Sequence, residues 1–300
     1  MQMFSIMKYV KIISAAVCCA SASAWAQTHK SATMFDEFSG FWNSSPTTEA
    51  HYAYTGGGDV SGGMRGSFSS HEAGATVKFA GVSKNKRHAA SVYATYSRLE
   101  ADFGGATAPF GSLDTLKSAA FYLYNINERW GVFANGLVCF SAENAQNWCD
   151  GAGGYAGAGA AYAFTPKLRV GFGAAAYSRL QQDWLGFPVA FVEWKITEQL
   201  TLKTLSGATL MFDVFKDNTL VLNAEIEYRN SYARLKNKAA LRDSYWQFTL
   251  GTMWSPLPNF YAAANVGFNF AREMEFRNSP LSDTDISTAP IIMLNAGFAW

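Results

Sequence analysis

Cysteine, histidine, proline and charge are all scarce in this chain. It has 4 cysteines, 4 histidines, 8 prolines and 16% charged residues in 300 positions. Two of the cysteines, Cys18 and Cys19, lie in the opening segment, which leaves Cys139 and Cys149 and rules out a disulfide-dense scaffold. No histidine lies near Cys139 or Cys149, so no zinc spacing forms and no metal site or cofactor is expected. No phosphate-binding glycine loop and no nucleophile elbow is present. Beyond the opening segment no run of about 18 apolar residues exists, which excludes a protein that crosses a membrane with helices. Net charge is +1, and without Lys8 and Lys11 it falls to -1 (22 basic against 23 acidic), so nothing suggests a nucleic-acid surface.

Glycine and aromatic residues are abundant, with 26 glycines and 15% aromatics. The opening "MQMFSIMKYVKIISAAVCCASASAWAQ" runs from basic to apolar to small residues ending in Ala24-Trp25-Ala26. This is the order of a secretory signal peptide, expected to span residues 1–26 with cleavage before Gln27. Its apolar stretch is shorter than the roughly 20 residues a membrane-spanning helix needs. Residues 27–48 show no strand pattern but carry Phe35, Phe38, Phe41 and Trp42; they read either as a periplasmic leader or as a plug for a barrel lumen.

From residue 49 to 300 one theme recurs: segments alternating apolar and polar residues, separated by turns. In "TLVLNAEIEYR" Leu220, Leu222, Ala224, Ile226 and Tyr228 share one face. Asn223, Glu225, Glu227 and Arg229 share the other. "DSYWQFTLGTMW" and "NFYAAANVGFNF" repeat the pattern. A soluble sandwich alternates too, but many of these segments reach about 10 residues, the length a tilted strand needs to cross a bilayer, against about 5 to 6 in globular proteins. Short connections at 125–129, 165–167, 197–199, 216–218 and 256–259 alternate with longer ones at 99–114, 140–153, 178–186, 230–243 and 272–289. Trp130, Phe164, Trp194, Trp254 and Phe260 crowd the strand ends beside the short turns. An all-β, antiparallel up-and-down transmembrane barrel of about 14 strands (12 to 16) follows. "YTGGGDVSGGMRGSF" is too glycine-rich to set a register there.

A lipid-facing charge costs about 2 to 4 kcal/mol near the bilayer midplane, so Glu193, Lys195, Lys203, Glu225, Glu227 and Arg229, with Asn223, are assigned to the lumen. Gly157, Gly159, Gly171 and Gly173 fall on the same inward register and leave either room or a close-packed partner. The charged wall reads either as a solute path, since fixed charge sets selectivity, or as an internal salt-bridge lattice. Cys139 and Cys149 bracket "FSAENAQNW"; in an oxidising compartment a disulfide is expected there, contributing roughly 3 kcal/mol through loop closure. His51, His71 in "FSSHEAG" and His88 near Ser91 are the only groupings for a barrel hydrolase. A hydrolase is the least favoured of three readings, behind a porin-like channel and a closed barrel acting through its loops. The chain is read as a non-enzyme.

The chain ends on "PIIMLNAGFAW", in which Ile292, Leu294, Ala296, Phe298 and Trp300 share a face. That ending resembles the C-terminal signal by which outer-membrane barrels are handed to the barrel-assembly machinery, with Trp300 where phenylalanine is commonest. "YAFTPKLRVGFGAAAYS", "FPVAFVEWKITEQLTLKTLSG" and "MWSPLPNFYAAANVGFNF" resemble a family of uncharacterised predicted outer-membrane β-barrel proteins of Gram-negative bacteria. The resemblance implies residence in the bacterial outer membrane. Its lipids, lipopolysaccharide and the export and assembly machinery would be the partners; it supplies no catalytic residue.

Overall fold

The structure, a computed structural model, describes residues 46–300 apart from 84, 86, 106, 107, 144–147, 181, 205 and 206. The expected signal peptide and nearly all of the leader or plug lie outside the described residues. The strands are β1 (Thr47–Gly62), β2 (Gly66–Val82), β3 (His88–Gly104), β4 (Ser112–Asn125), β5 (Trp130–Ala142), β6 (Ala152–Thr165), β7 (Leu168–Arg179), β8 (Gln182–Lys195), β9 (Leu200–Lys203), β10 (Gly207–Asp213), β11 (Leu220–Arg234), β12 (Ala240–Leu257), β13 (Phe260–Arg277), β14 (Thr284–Ile286) and β15 (Ala289–Ala299). β14 and β15 both run between β13 and β1, so the fifteen strands make fourteen staves. Neighbours in sequence pair antiparallel, and β15 against β1 closes the barrel, with Thr48 opposite Phe298 and Tyr54 opposite Ile292.

The alternation sorts side chains as lipid outside and polar packing inside would require. Val77, Val92, Val138, Phe172, Leu222, Leu250, Val266, Ile292 and Leu294 are exposed on the outer face. Trp130, Phe164, Trp194, Trp254 and Trp300 are exposed at the short-turn end. Thr76, Glu193, Glu227, Gln247, Thr249 and Asn269 are buried on the inner face. An arginine in place of Leu250, half exposed on the apolar belt at 51%, is expected to cost about 2 to 4 kcal/mol. Urea unfolding in lipid vesicles would read this, and an unchanged midpoint would remove Leu250 from the lipid face.

The short turns lie where the sequence places them, and the Val214–Thr219 turn shows how tightly they are built. The Asp213 carboxylate accepts from the amides of Lys216 and Asn218, both at 3.0 Å, which holds two non-glycine residues at φ 65° and 60°. Asp217 accepts from the Thr219 amide at 2.8 Å, and that bond holds its carboxyl below the usual aspartate range.

The long connections differ from expectation. β7 ends at Arg179 and β8 begins at Gln182, so most of 178–186 is strand. β11 and β12 pair up to Arg234 and Ala240, so most of 230–243 is strand. Polar composition marks these segments as wet, yet both sides of a hairpin satisfy their backbone groups by pairing on above the membrane. There the staves collapse onto a dry core in which Phe68, Leu235, Ala239 and Met274 are fully covered, and Phe103, Phe110 and Phe276 nearly so. This core packs the long-loop end of the barrel.

Candidate functional site: a two-chambered lumen with a charged waist

Among the described residues, two neighbouring chambers lie inside the barrel. The lower, about 190 Å³, is lined by residues such as Glu49, His51, Tyr93, Asn223, Glu225 and Asn265. The upper, about 170 Å³, is lined by residues such as Leu137, Cys139, Tyr155, Tyr177, Tyr232 and Tyr245. Glu72, Ser97, Lys117 and Arg229 border both chambers and form the waist between them. Glu72 interacts electrostatically with Lys117, His51 and Arg229. At about 30 Å³ per water, each chamber has room for roughly six waters or one small organic molecule.

These waist residues come from β2, β3, β4 and β11, all at inward positions. Only Arg229 is among the residues singled out by sequence. Glu72 and Lys117 were legible in principle, since period two carried through "SLDTLKSAAFYLY" sets Lys117 inward with Leu113, Thr115 and Ala119. Their convergence with Arg229 was not, because β2 and β4 meet β11 only across the closed lumen.

The inward charges divide by place. Glu225 and Asn223 line the lower chamber, and Asn223 donates to Asn265 at 3.1 Å. Glu227 is 1% exposed and paired with Arg229, with Gln247 donating to it at 3.5 Å. It therefore sits behind Arg229 and borders neither chamber. Glu193 pairs with Arg169 at 3.6 Å near the short turns, and faces Lys203 across the β8–β9 ladder, with Lys195 opposite Thr201. Glu193, Lys195 and Lys203 belong to a charged band below the chambers.

The glycine wall is packed, not roomy. A Cβ on Gly159 would meet the Phe133 ring, one on Gly171 the Phe191 ring, one on Gly157 the Asn135 and Tyr155 side chains, and one on Gly173 the facing backbone at Ala158. Phe133 and Phe191 meet edge to face with centroids 5.6 Å apart in a cluster with Ala89, Leu123 and Ala161. The missing side chains of β6 and β7 leave space that aromatic rings from β5 and β8 fill.

One further expectation is corrected, and one grouping of the least favoured reading comes apart. Cys139 and Cys149 are free thiols. Cys139 faces the upper chamber and stands opposite Gly153 in the β5–β6 ladder, whereas Cys149 is exposed in the short 3-10 turn beyond the strand end, so the interior and the loop surface separate them. His88 and Ser91, three apart on a strand, point to opposite faces. His88 instead meets the Tyr122 hydroxyl at 2.6 Å, and His71 meets that of Tyr52 at 2.6 Å, both exposed on the outside. No nucleophile lies beside either ring in these bonds.

A closed antiparallel barrel with an apolar belt, an aromatic girdle and a polar interior is a transmembrane β-barrel of the outer-membrane type. The chain belongs to the family described as "Domain of unknown function (DUF6268)", which matches residues 47–298. No curated protein matches it. Among solved structures it is similar to the COG4313 outer membrane channel from Pseudomonas putida F1, with 12% identity, TM-score 0.45, and coverage of 86% of this chain and 96% of that one. It is also similar to a Pseudomonas aeruginosa FadL homologue, with 7% identity, TM-score 0.44 and coverage of 92% and 95%. A third is the Pseudomonas putida toluene transporter TodX, with 8% identity, TM-score 0.43 and coverage of 85% and 89%.

Proposed function

We propose that this protein is a narrow outer-membrane channel for passive passage of small solutes, with the waist of Glu72, Lys117 and Arg229 as its selectivity element. The observation that carries this reading is the pair of chambers meeting at that waist. A purely structural barrel has no need to leave two spaces joined at unlike charges. Fixed charges at a constriction act on ions strongly because little water screens them there. The signal peptide expected over residues 1–26 and the C-terminal face from Ile292 to Trp300 would fit delivery to the outer membrane through the barrel-assembly machinery, with lipids and lipopolysaccharide as surroundings.

Single-channel recording of the refolded chain in planar bilayers tests the reading. Arg229→Gln removes one waist cation and exposes Glu72 and Glu227, so selectivity is expected to move toward cations. Steps that keep their ion preference in the variant would exclude Arg229 from the path. A folded, heat-modifiable and electrically silent barrel would favour the closed-barrel reading.

A further inference from the structure

We infer that the barrel wall has a lateral portal between β8 and β11, through which a single acyl chain or a similarly slim apolar molecule passes between the bilayer and the upper chamber. The inference builds on the channel reading but rests on a separate observation, an interruption in the hydrogen-bond ladder. β9 pairs with β8 only from Glu193 to Lys195, with Thr204 adding bonds to Val192. β10 pairs with β11 only from Val221 to Glu227. Above this short hairpin, among the described residues, neither β8 from 182 to 189 nor β11 from 230 to 233 has a strand partner on the facing edge.

The sequence is built for that edge. The Lys195 amide donates toward β7 and the Val192 amide toward Thr204, so even-numbered residues of β8 aim their amides at the gap. Pro188 is one of them and has no N–H to leave unpaired, which is why proline is confined to edge strands. The gap also lies at membrane depth. Trp184 and Trp194, both exposed on the outer face, are ten residues apart, which at about 3.3 Å per residue and about 40° of tilt spans roughly 25 Å, the height of the apolar belt. Backbone left open at that depth is tolerated only where it is covered by protein or lines a cavity.

The cover here is apolar and comes from the far side of the gap. The upper end of β11 leaves the wall and reaches β5, where Arg234 stands parallel to Ala142 and the Glu143 amide donates to the Arg234 carbonyl at 2.9 Å. Tyr232, on the outward register of β11, therefore packs against the inner face of β7 and β8. Its ring lies 6.3 Å from that of Tyr177, which meets Phe187 at 5.9 Å, with Leu185 and Val189 beside them. Tyr177 and Tyr232 also line the upper chamber. A route from lipid to chamber is thus closed by side chains alone, with no ladder bonds to break, whereas the long-loop end is narrowed by the dry core around Phe68 and Met274.

The test uses the refolded chain in phosphatidylethanolamine and phosphatidylglycerol vesicles containing deuterated oleate, with p-benzoylphenylalanine in place of Val189. The control carries it in place of Phe121, also inward but on β4, where both neighbours are paired, and outside the upper-chamber lining. After irradiation, mass spectrometry is expected to find acyl-chain adducts at position 189 in at least about tenfold excess over 121, a free-energy difference of about 1.4 kcal/mol. Equal or absent adducts would overturn the portal, as would cross-linking of 189 to a second copy of the chain, which would mean that the β8 edge pairs with another barrel. If the Val189 substitution prevents heat-modifiable folding, Phe187 serves as the labelled position. The adducts need no conduction, so a silent barrel that still gives them refutes the ion path and leaves the portal standing.

Discussion

Replacing Arg272 with alanine is expected to lower the unfolding free energy by about 3 to 5 kcal/mol, the cost of leaving a buried charge without its partner. Its guanidinium binds both oxygens of Asp243, at 2.9 and 2.6 Å. It also lies over the Phe68 ring at 4.4 Å and the Tyr245 ring at 4.8 Å. Arg272 is 4% exposed and Asp243 8%, so bulk solvent compensates little when one is removed. Urea unfolding of the folded barrel in vesicles, followed by tryptophan fluorescence, reads the loss. Exchanging both residues for apolar ones of similar volume is expected to cost much less, because no charge is then stranded. If Arg272→Ala costs under about 1 kcal/mol, the range of an exposed pair, the pair is solvated and the dry extracellular core is wrongly drawn.

Phe191→Ala is expected to cost about 3 to 5 kcal/mol, since it removes a ring that is 4% exposed from a packed cluster. Gly171→Ala, which drives a methyl into the same ring, is expected to cost about 1 to 3 kcal/mol by overpacking. The double variant is the sharper measurement. Once the ring is gone the added methyl occupies vacated space, so the combined loss falls short of the sum. Strict additivity would mean that Phe191 does not sit over Gly171.

Much of this molecule was readable from one strand at a time. Leu222, Leu250 and Val266 face outward, and Asn223, Thr249 and Asn265 inward, as alternation required, because a β-strand has a side-chain period of two and one face must meet lipid. The rule broke at bulges. Carried past Phe270, alternation sets Arg272, Met274 and Phe276 outward, but a bulge at Ala271, with φ 50°, admits one extra residue and turns all three inward. Pro188 in "FPVAFVEW" was a visible mark of an edge strand, a signal present in the sequence and not used there.

The sequence by itself determined the class of fold, the membrane-facing belt, the short turns and the sign of each face, since these depend on residues two apart and on turn chemistry a few residues long. It also held the aromatic girdle and the charges that must face inward. Only the tertiary structure decided which of those charges meet at the waist, that the glycine wall is filled by Phe133 and Phe191, that Cys139 and Cys149 stand apart, and that the ladder is interrupted between β8 and β11. Each of these is a relation between strands far apart in the chain. It is set by where the barrel closes and where a bulge or a short hairpin shifts the ladder, and no local pattern carries that information.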